Sequence, residues 1–401
     1  MMHEKKKILL LGGSAQQIIV IKTAKKLGYE TILCDFLIDN PGQYEADKFY
    51  LVSTTDKEAV LKVAIQEHID GILAYASDPA APTAAFVAEK LKLPGNPYQS
   101  VEVLCNKDRF RMFLAANSFS TPMAKGYVSI EKALSDRKKF NYPIIIKPVD
   151  SSGSKGVTVL YRDTELENAL RFAFSFSRCH KIIVEHFIEK KHPYLIGGDI
   201  FIIEKRIALW GLLNCHRDNQ VNPLVPVGKS YPLQLEEKDI EKVKETLIAI
   251  VEKLGICNGA MNVELVIDKN DFVWPIDIGP RSGGNMIPDL LGDMFGVDIS
   301  EMAIKSAMGE KLDEKFKTPN GCYATYNLHS NQNGVYKNIV FSEKLAPYIY
   351  RKCLYKKAGD IVERFDNASK CLGIVFFKFP NEEIMKVILD NISELITIEL
   401  Q

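Results

Sequence analysis

The stretch YPIIIKPVDSSGSKGV, residues 142–157, sets Lys147 at the end of an apolar run and follows it with a loop of serine and glycine. The isoleucines read as a short buried strand, and VTVLY beyond the loop reads as another. Ser151, Ser152, Gly153, Ser154, Lys155 and Gly156 offer small side chains and exposed backbone N–H groups. Glycine lets such a backbone curl closely around an anion. Lys147 adds a positive charge at the strand end, so strand and loop together read as a holder for a polyphosphate. The G-x-x-x-x-G-K-[ST] spacing is absent, because Pro223 stands where Gly228-Lys229-Ser230 would need its first glycine. A plain hairpin connection has the same composition, so the neighbours must decide.

Downstream lies NVELVIDKNDFVWPIDIGPRSGGN, residues 262–285. It reads as two antiparallel strands joined by a tight turn at Lys269-Asn270-Asp271. Counted from that turn, Glu264 and Asp277 sit at comparable depth and can share a face. Two such carboxylates repel unless a cation lies between them, and hard oxygen ligands suit magnesium. Arg281 and the small-residue turn Ser282-Gly283-Gly284-Asn285 follow, a suitable anion clamp. An ordinary strand charge and a surface salt bridge remain the plain alternatives. Between the two stretches, KIIVEHFIE runs apolar up to Glu185, like a strand edge that offers its backbone to a flat base.

Upstream, strand and helix patterns alternate from KKILLLGG (6–13) to PTAAFVAEKLKLPG. That alternation predicts an open parallel sheet, with ligands beyond the C-terminal strand ends. It places Gly12, Gly13, Ser14, Asp35, Ser77 and Asp78 on one rim. SVEVLCNKDRFRMFLAANS reads as a single helix bearing Lys107, Arg109 and Arg111. LNCHRDNQVNPLVPVG carries Asn214, His216 and Arg217 into a proline-rich turn, and reads either as acceptor-pocket lining or as a surface loop. Residues 319–401 read as β-rich with one helix, NEEIMKVILDNISEL.

Composition narrows the field. The 401 residues carry 51 basic and 51 acidic side chains, so nothing favours nucleic acid or an anionic membrane as partner. Eight cysteines form no CxxC pair, which fits reduced thiols in a cytosol. The basic start MMHEKKK precedes too short an apolar run for a signal peptide, and no segment nears the ~20 apolar residues of a membrane span.

Taken in order, these are a cation, a cation with an anion loop, an apolar hinge, paired carboxylates and an arginine. Over residues 5 to 310 that order resembles the ATP-grasp enzymes, and most closely the carboxylate–amine ligase branch. That branch includes glycinamide ribonucleotide synthetase, the aminoimidazole ribonucleotide carboxylase ATPase, biotin carboxylase and one half of carbamoyl-phosphate synthetase. The resemblance implies a mixed α/β and α+β chain. Residues 1–100 would form a Rossmann-like parallel-sheet domain, 101–318 the ATP-grasp domain with a lid at about 118–184, and 319–401 a small β-rich domain.

It further implies ATP held by Lys107, Lys147, the loop Ser152, Gly153, Ser154, Lys155 and Gly156, and the adenine hinge Glu185, Phe187 and Ile188. Asp199 is the nearest acid for the ribose. Glu264 and Asp277 would hold Mg2+, with Mn2+ a substitute. Lys147 and Arg281 would be catalytic. The substrate would meet Gly12, Gly13, Ser77, Asp78, His216, Arg281 and Asn285.

The implied reaction joins a carboxylate to an amine through an acyl phosphate, in a cytoplasmic homodimer acting on small molecules, with no nucleic acid or membrane partner. A phosphoribosylamine–glycine ligase task and an ATP-binding protein with weakened chemistry remain as alternatives. An NAD-dependent oxidoreductase has only Gly12-Gly13 behind it and lacks the third glycine. The sequence departs from the family at the second metal strand, usually Glu-x-Asn-x-Arg. Here Asp277 shortens the arm and Gly279 removes the asparagine.

Overall fold

The computed structural model describes residues 5–218 and 222–401. The chain opens with β1 (Lys7–Leu11), α1 (Ile18–Lys26), β2 (Glu30–Asp35), β3 (Lys48–Leu51), α2 (Lys57–Glu67), β4 (Gly71–Leu73) and α3 (Ala81–Leu91). The strands pair in parallel in the order β3-β2-β1-β4. β1 is apolar and buried from Ile8 to Leu11 because both faces are covered. Leu9 and Leu11 meet α2 and α3, while Ile8 and Leu10 meet α1.

Residues 98–116 form two helices, α4 (Tyr98–Leu104) and α5 (Lys107–Ala116), where the sequence reads as one. Asn106 makes the break: its backbone is extended and its side chain accepts the Arg109 N–H at 3.1 Å, capping α5. Lys107 is thereby placed on the first turn of α5, with its backbone N–H bonded to the Val149 carbonyl at 3.0 Å.

The lid sheet follows: β5 (Ala124–Tyr127), α6 (Ile130–Ser135), β6 (Ile144–Pro148), β7 (Thr158–Leu160), α7 (Leu166–Ser175) and β8 (Ile182–His186), in strand order β5-β8-β6-β7. Ile144 and Ile146 pack with α7 in the lid core. Alternation along the strand turns Ile145 and Lys147 the other way, into the main cleft.

The main body consists of β9 (Leu195–Ile203), β10 (Arg206–Asp218), β11 (Asn222–Tyr231), α8 (Glu237–Leu254), β12 (Gly259–Ile267), β13 (Val273–Gly279), α9 (Ile287–Phe295) and α10 (Ile299–Ala307). Beyond it come β14 (Cys322–Leu328), β15 (Gly334–Phe341), β16 (Ile349–Leu354), β17 (Ile361–Val362), β18 (Gly373–Phe379), α11 (Glu382–Asp390), α12 (Ile392–Leu395) and β19 (Ile396–Leu400). One eight-stranded sheet runs β13-β12-β9-β10-β11-β14-β18-β16. Lys229 of β11 pairs with Thr325 of β14, so the sheet passes from the central part into the last eighty residues without a gap.

Two local expectations change. LNCHRDNQVNPLVPVG is a hairpin rather than a strand and a proline turn: Pro223 and Pro226 lie inside β11, and a register shift at Arg217–Pro226 absorbs the missing donor. Asn219, Gln220 and Val221 of this segment, like MMHE at the start, lie outside the described residues. The last helical segment is two short helices divided at Asn391. No helix among the described residues is long and apolar enough to cross a membrane.

Candidate active site

The lid and the main sheet face each other across a cleft of about 1450 Å³. On the lid side Lys147 is buried, with its Nζ 2.7 Å from Glu185 Oε2. Arg111, reaching in from α5, sets its Nε 2.7 Å from Glu185 Oε1. The same guanidinium donates to the backbone carbonyls of Pro275 at 3.2 Å and Ile276 at 2.7 Å. One side chain thus ties lid strand β8 to β13. Burial pushes the Glu185 carboxyl up, but Arg111 and Lys147 more than reverse this and hold it at about 2. Burial also lowers the Lys147 ammonium, against the pull of Glu185.

On the opposite wall, Glu264 and Asp277 stand directly opposite each other on β12 and β13. Lys107 Nζ lies 3.2 Å from Asp277 Oδ2 and 3.1 Å from the Ser151 carbonyl. Arg217 Nη2 lies 3.7 Å from Glu264 Oε1. Among the described residues no third His, Cys, Asp or Glu joins the two acids to complete a protein-only metal cage. Two carboxylates with open positions suit a hard divalent cation that draws its other ligands from phosphate and water.

The departure at Gly279 has a steric reason. A Cβ there would sit 2.5 Å from Asp78 Oδ1 and 3.3 Å from Arg281 Nε. Asp78, from the loop after β4, fills that space and takes Arg281 Nε at 2.8 Å, with a second bond from Nη2 to Oδ2. Burial alone would raise the Asp78 carboxyl, but Arg281 holds it below its ordinary range.

Several expected residues lie elsewhere. Asp199 does not line the cleft: its oxygens accept the Gly283 N–H at 2.7 Å and the Asn262 amide at 2.8 Å, and burial raises its pKa. It anchors the turn after Arg281 and is not available to a ribose. Gly12, Gly13 and Ser77 also fall outside the cleft lining. Gly12 and Gly13 build the turn after β1, bonded to Cys34 O at 2.9 Å and Asp35 Oδ2 at 2.7 Å. The Ser77 carbonyl caps the start of α3 by accepting from Ala80 and Ala81.

Glu185 lines the cleft, but its carboxylate is spent on Lys147 and Arg111, which leaves Phe187 and Ile188 as the free hinge side chains. Ser152, Gly153, Ser154 and Lys155 line the cleft, and Ser154 Oγ donates to the Leu224 carbonyl at 2.7 Å, so the loop reaches the β10–β11 hairpin. Gly156 does not line it: at φ +74° it passes so close to Pro148 and Phe176 that a Cβ would lie 2.8 and 2.9 Å from them.

His216 and Asn285 do line the cleft. The His216 ring lies 4.4 Å from that of Tyr194, its Nε2 is 2.8 Å from Ser230 Oγ, and burial followed by the Lys229 charge lowers it to about 4. Asn285 donates its N–H to Gln16 Oε1 at 3.1 Å, joining the RSGGN turn to the N-terminal loop. Neither Arg111 nor Gln16 is assigned a role from its residue pattern. Arg111 could have been found as a charge four residues after Lys107, on the same face of a helix.

Residues 107–315 match the family described as carbamoyl-phosphate synthase L chain, ATP binding domain. The chain belongs to that family, within the ATP-grasp superfamily. The carbamoyl phosphate synthase large chain of Clostridium botulinum is 25% identical over 305 residues, 73% of this chain and 27% of that one. The chain therefore spans about a quarter of the length of the curated relatives it matches.

The L-amino acid ligase of Bacillus licheniformis superposes with a TM-score of 0.81 at 21% identity over 99% of both chains. Phosphoribosylglycinamide synthetase of Anaerococcus prevotii gives 0.77 at 22% identity, over 99% of this chain and 100% of that one. These likenesses establish the fold: an N-terminal parallel-sheet part, a lid and large antiparallel sheets.

Proposed function

We propose that the chain is an ATP- and magnesium-dependent ligase that activates a small carboxylate as an acyl phosphate and joins it to an amine. Lys107 carries the reading. Its ammonium touches both the Ser151 carbonyl of the anion loop and Asp277 of the carboxylate pair, so phosphate-holding and metal-holding groups meet at one point. The relatives named for carbamoyl phosphate, glycinamide ribonucleotide and amino acid ligation support the same class.

Lys147, fixed by Glu185, would meet the phosphates from the lid, and Lys107 would turn from Asp277 towards them. Glu264 and Asp277 would hold magnesium, and the same oxygen set takes manganese; the bound ion supplies charge neutralisation on the phosphates. Phosphoryl transfer needs positioning and charge more than covalent help, and these residues supply both. The carboxylate would attack the γ-phosphorus and ADP would leave. An amine would then attack the acyl carbon and phosphate would leave, with Arg281 beside the developing charge. The loop 151–156 would keep water from the acyl phosphate.

We assign residues 1–100, 101–318 (lid 118–184) and 319–401 to three units, in a cytoplasmic homodimer working on small molecules. A phosphoribosylamine–glycine ligase task fits the same site.

The test is ADP release with MgATP and hydroxylamine, adding carboxylates one at a time, bicarbonate included. ADP and hydroxamate rising together with one carboxylate support the reading. AMP in place of ADP overturns the mechanism. Tight ATP binding with no product from any carboxylate favours a binding protein instead.

A further inference from the structure

We infer that Lys229 forms an anion subsite that takes the carboxylate of the acceptor substrate beside Glu264. The identity of the anion rests on the ligase reading; the existence of the subsite does not.

The cleft's cations are mostly matched. Lys107 faces Asp277 at 3.2 Å, Lys147 faces Glu185 at 2.7 Å, Arg217 faces Glu264 at 3.7 Å, and Arg281 faces Asp78. Lys155, Lys190 and Lys356 reach water. Lys229 is different. It is 5% exposed, and among the described residues its ammonium has one hydrogen-bond partner, Cys215 Sγ, and no carboxylate within ion-pair distance. A thiol is a weak acceptor, and a buried ammonium without a counter-charge is costly. An anion entering the cleft would relieve that cost.

Sheet register shows where the ammonium points. Asp277 pairs with Glu264, Glu264 with Gly197, Cys215 with Lys229, and Lys229 with Thr325. Leu195, two residues from Gly197, pairs with Cys215, so all these positions lie on one face. A Cβ at Gly197 would overlap Cys215 Sγ and lie 3.0 Å from Lys229 Nζ. The ammonium therefore reaches over the bare backbone of β9, in a lane that only glycine leaves open. Strands lie about 4.8 Å apart, so an anion on Lys229 sits about one strand from Glu264. That is the place for a carboxylate attacking a phosphoryl group held at Glu264 and Asp277. Lys147 lies on the opposite wall, and the phosphate loop's bond to this wall is at Leu224, five residues along β11 from Lys229, which argues against a phosphate at Lys229.

Two measurements test the subsite. In K229M the KM for the most active carboxylate of the hydroxamate panel should rise about tenfold or more, with K229R recovering much of the loss. Affinity for a fluorescent ADP analogue should stay within about twofold. An unchanged KM overturns the proposal; a parallel loss of nucleotide affinity also overturns it, and puts phosphate at Lys229.

The second measurement uses the unaltered chain, so it stands even if K229M fails to fold. Lys229 is acetylated with acetic anhydride at saturating MgADP and mapped by mass spectrometry, with and without each carboxylate. One carboxylate should protect Lys229, and no protection by any of them overturns the subsite. Protection without ADP formation defeats the ligase reading alone. ADP formation with neither protection nor a KM shift defeats the subsite alone.

Discussion

Glu185 holds Lys147 with one carboxylate oxygen and Arg111 with the other, each at 2.7 Å. All three side chains are buried. Glu185→Ala should leave two cations without a counter-charge and destabilise the chain by about 3–5 kcal/mol. Urea unfolding at neutral pH measures this; a loss under about 1 kcal/mol would show that the cations find other partners.

The same carboxyl makes an acid limb. It titrates at about 2 in the fold against an ordinary 4.5. The unfolded chain therefore binds the proton first as pH falls, and the stability Glu185 contributes is full above 4.5 and drains away towards 2. The Glu185→Gln variant should show a shallower loss of urea midpoint between pH 5 and 2 than the parent.

Lys147→Ala should lower ADP formation by about a hundredfold or more, because a charge fixed on a strand cannot be replaced by water. Circular dichroism should remain close to that of the parent, since Arg111 still neutralises Glu185. Activity within about threefold of the parent would remove Lys147 from the chemistry.

Gly279 and Asp78 should be coupled. Restoring the family's asparagine with Gly279→Asn drives its side chain into Asp78 and should destabilise by about 1–3 kcal/mol. Asp78→Gly in the same chain opens the room, so the double variant should be less destabilised than the sum of the two singles. Simple additivity in thermal unfolding would contradict the steric account.

His216 gives a milder pH effect. Its imidazole is lowered to about 4 from an ordinary 6.5, first by burial and then by Lys229. It stays neutral in the fold while the unfolded chain takes up protons, so stability falls as pH drops from 6.5 through 4. His216→Gln should flatten the melting temperature across that window; an unchanged slope would assign it to other groups.

What the sequence disclosed follows range. The Lys147 strand, the Ser-Gly loop and the Glu264–Asp277 hairpin are local patterns, and a count from the turn is enough to pair the two acids. The break at Asn106 was also local: an asparagine ahead of Lys-Asp is a capping signal that the apolar spacing around it obscured. Asp78 meeting Arg281, and Arg111 meeting Glu185, join parts 203 and 74 residues apart, and no spacing rule reaches them. Asp199 misled for a related reason. Proximity to the hinge suggested a ribose contact, but Asp199 sits two residues beyond Gly197 along β9, opposite Asn262, where two donors already claim it.

The unbroken eight-stranded sheet has a mechanical consequence. Asp277 stands on its first strand, and the register carries through Lys229 and Thr325 into β18 and β16. Hydrogen-bonded strands move as a plate, so β14, β18 and β16 are carried with the carboxylate pair, while β15, β17 and β19 form a small sheet of their own. The lid has its own sheet and is fastened to that plate by side chains such as Arg111 and by the loop bond from Ser154 to Leu224. Any movement of the lid against that plate must therefore strain or break the grip of Arg111, which holds Glu185 on β8 and the Pro275 and Ile276 carbonyls on β13 at once.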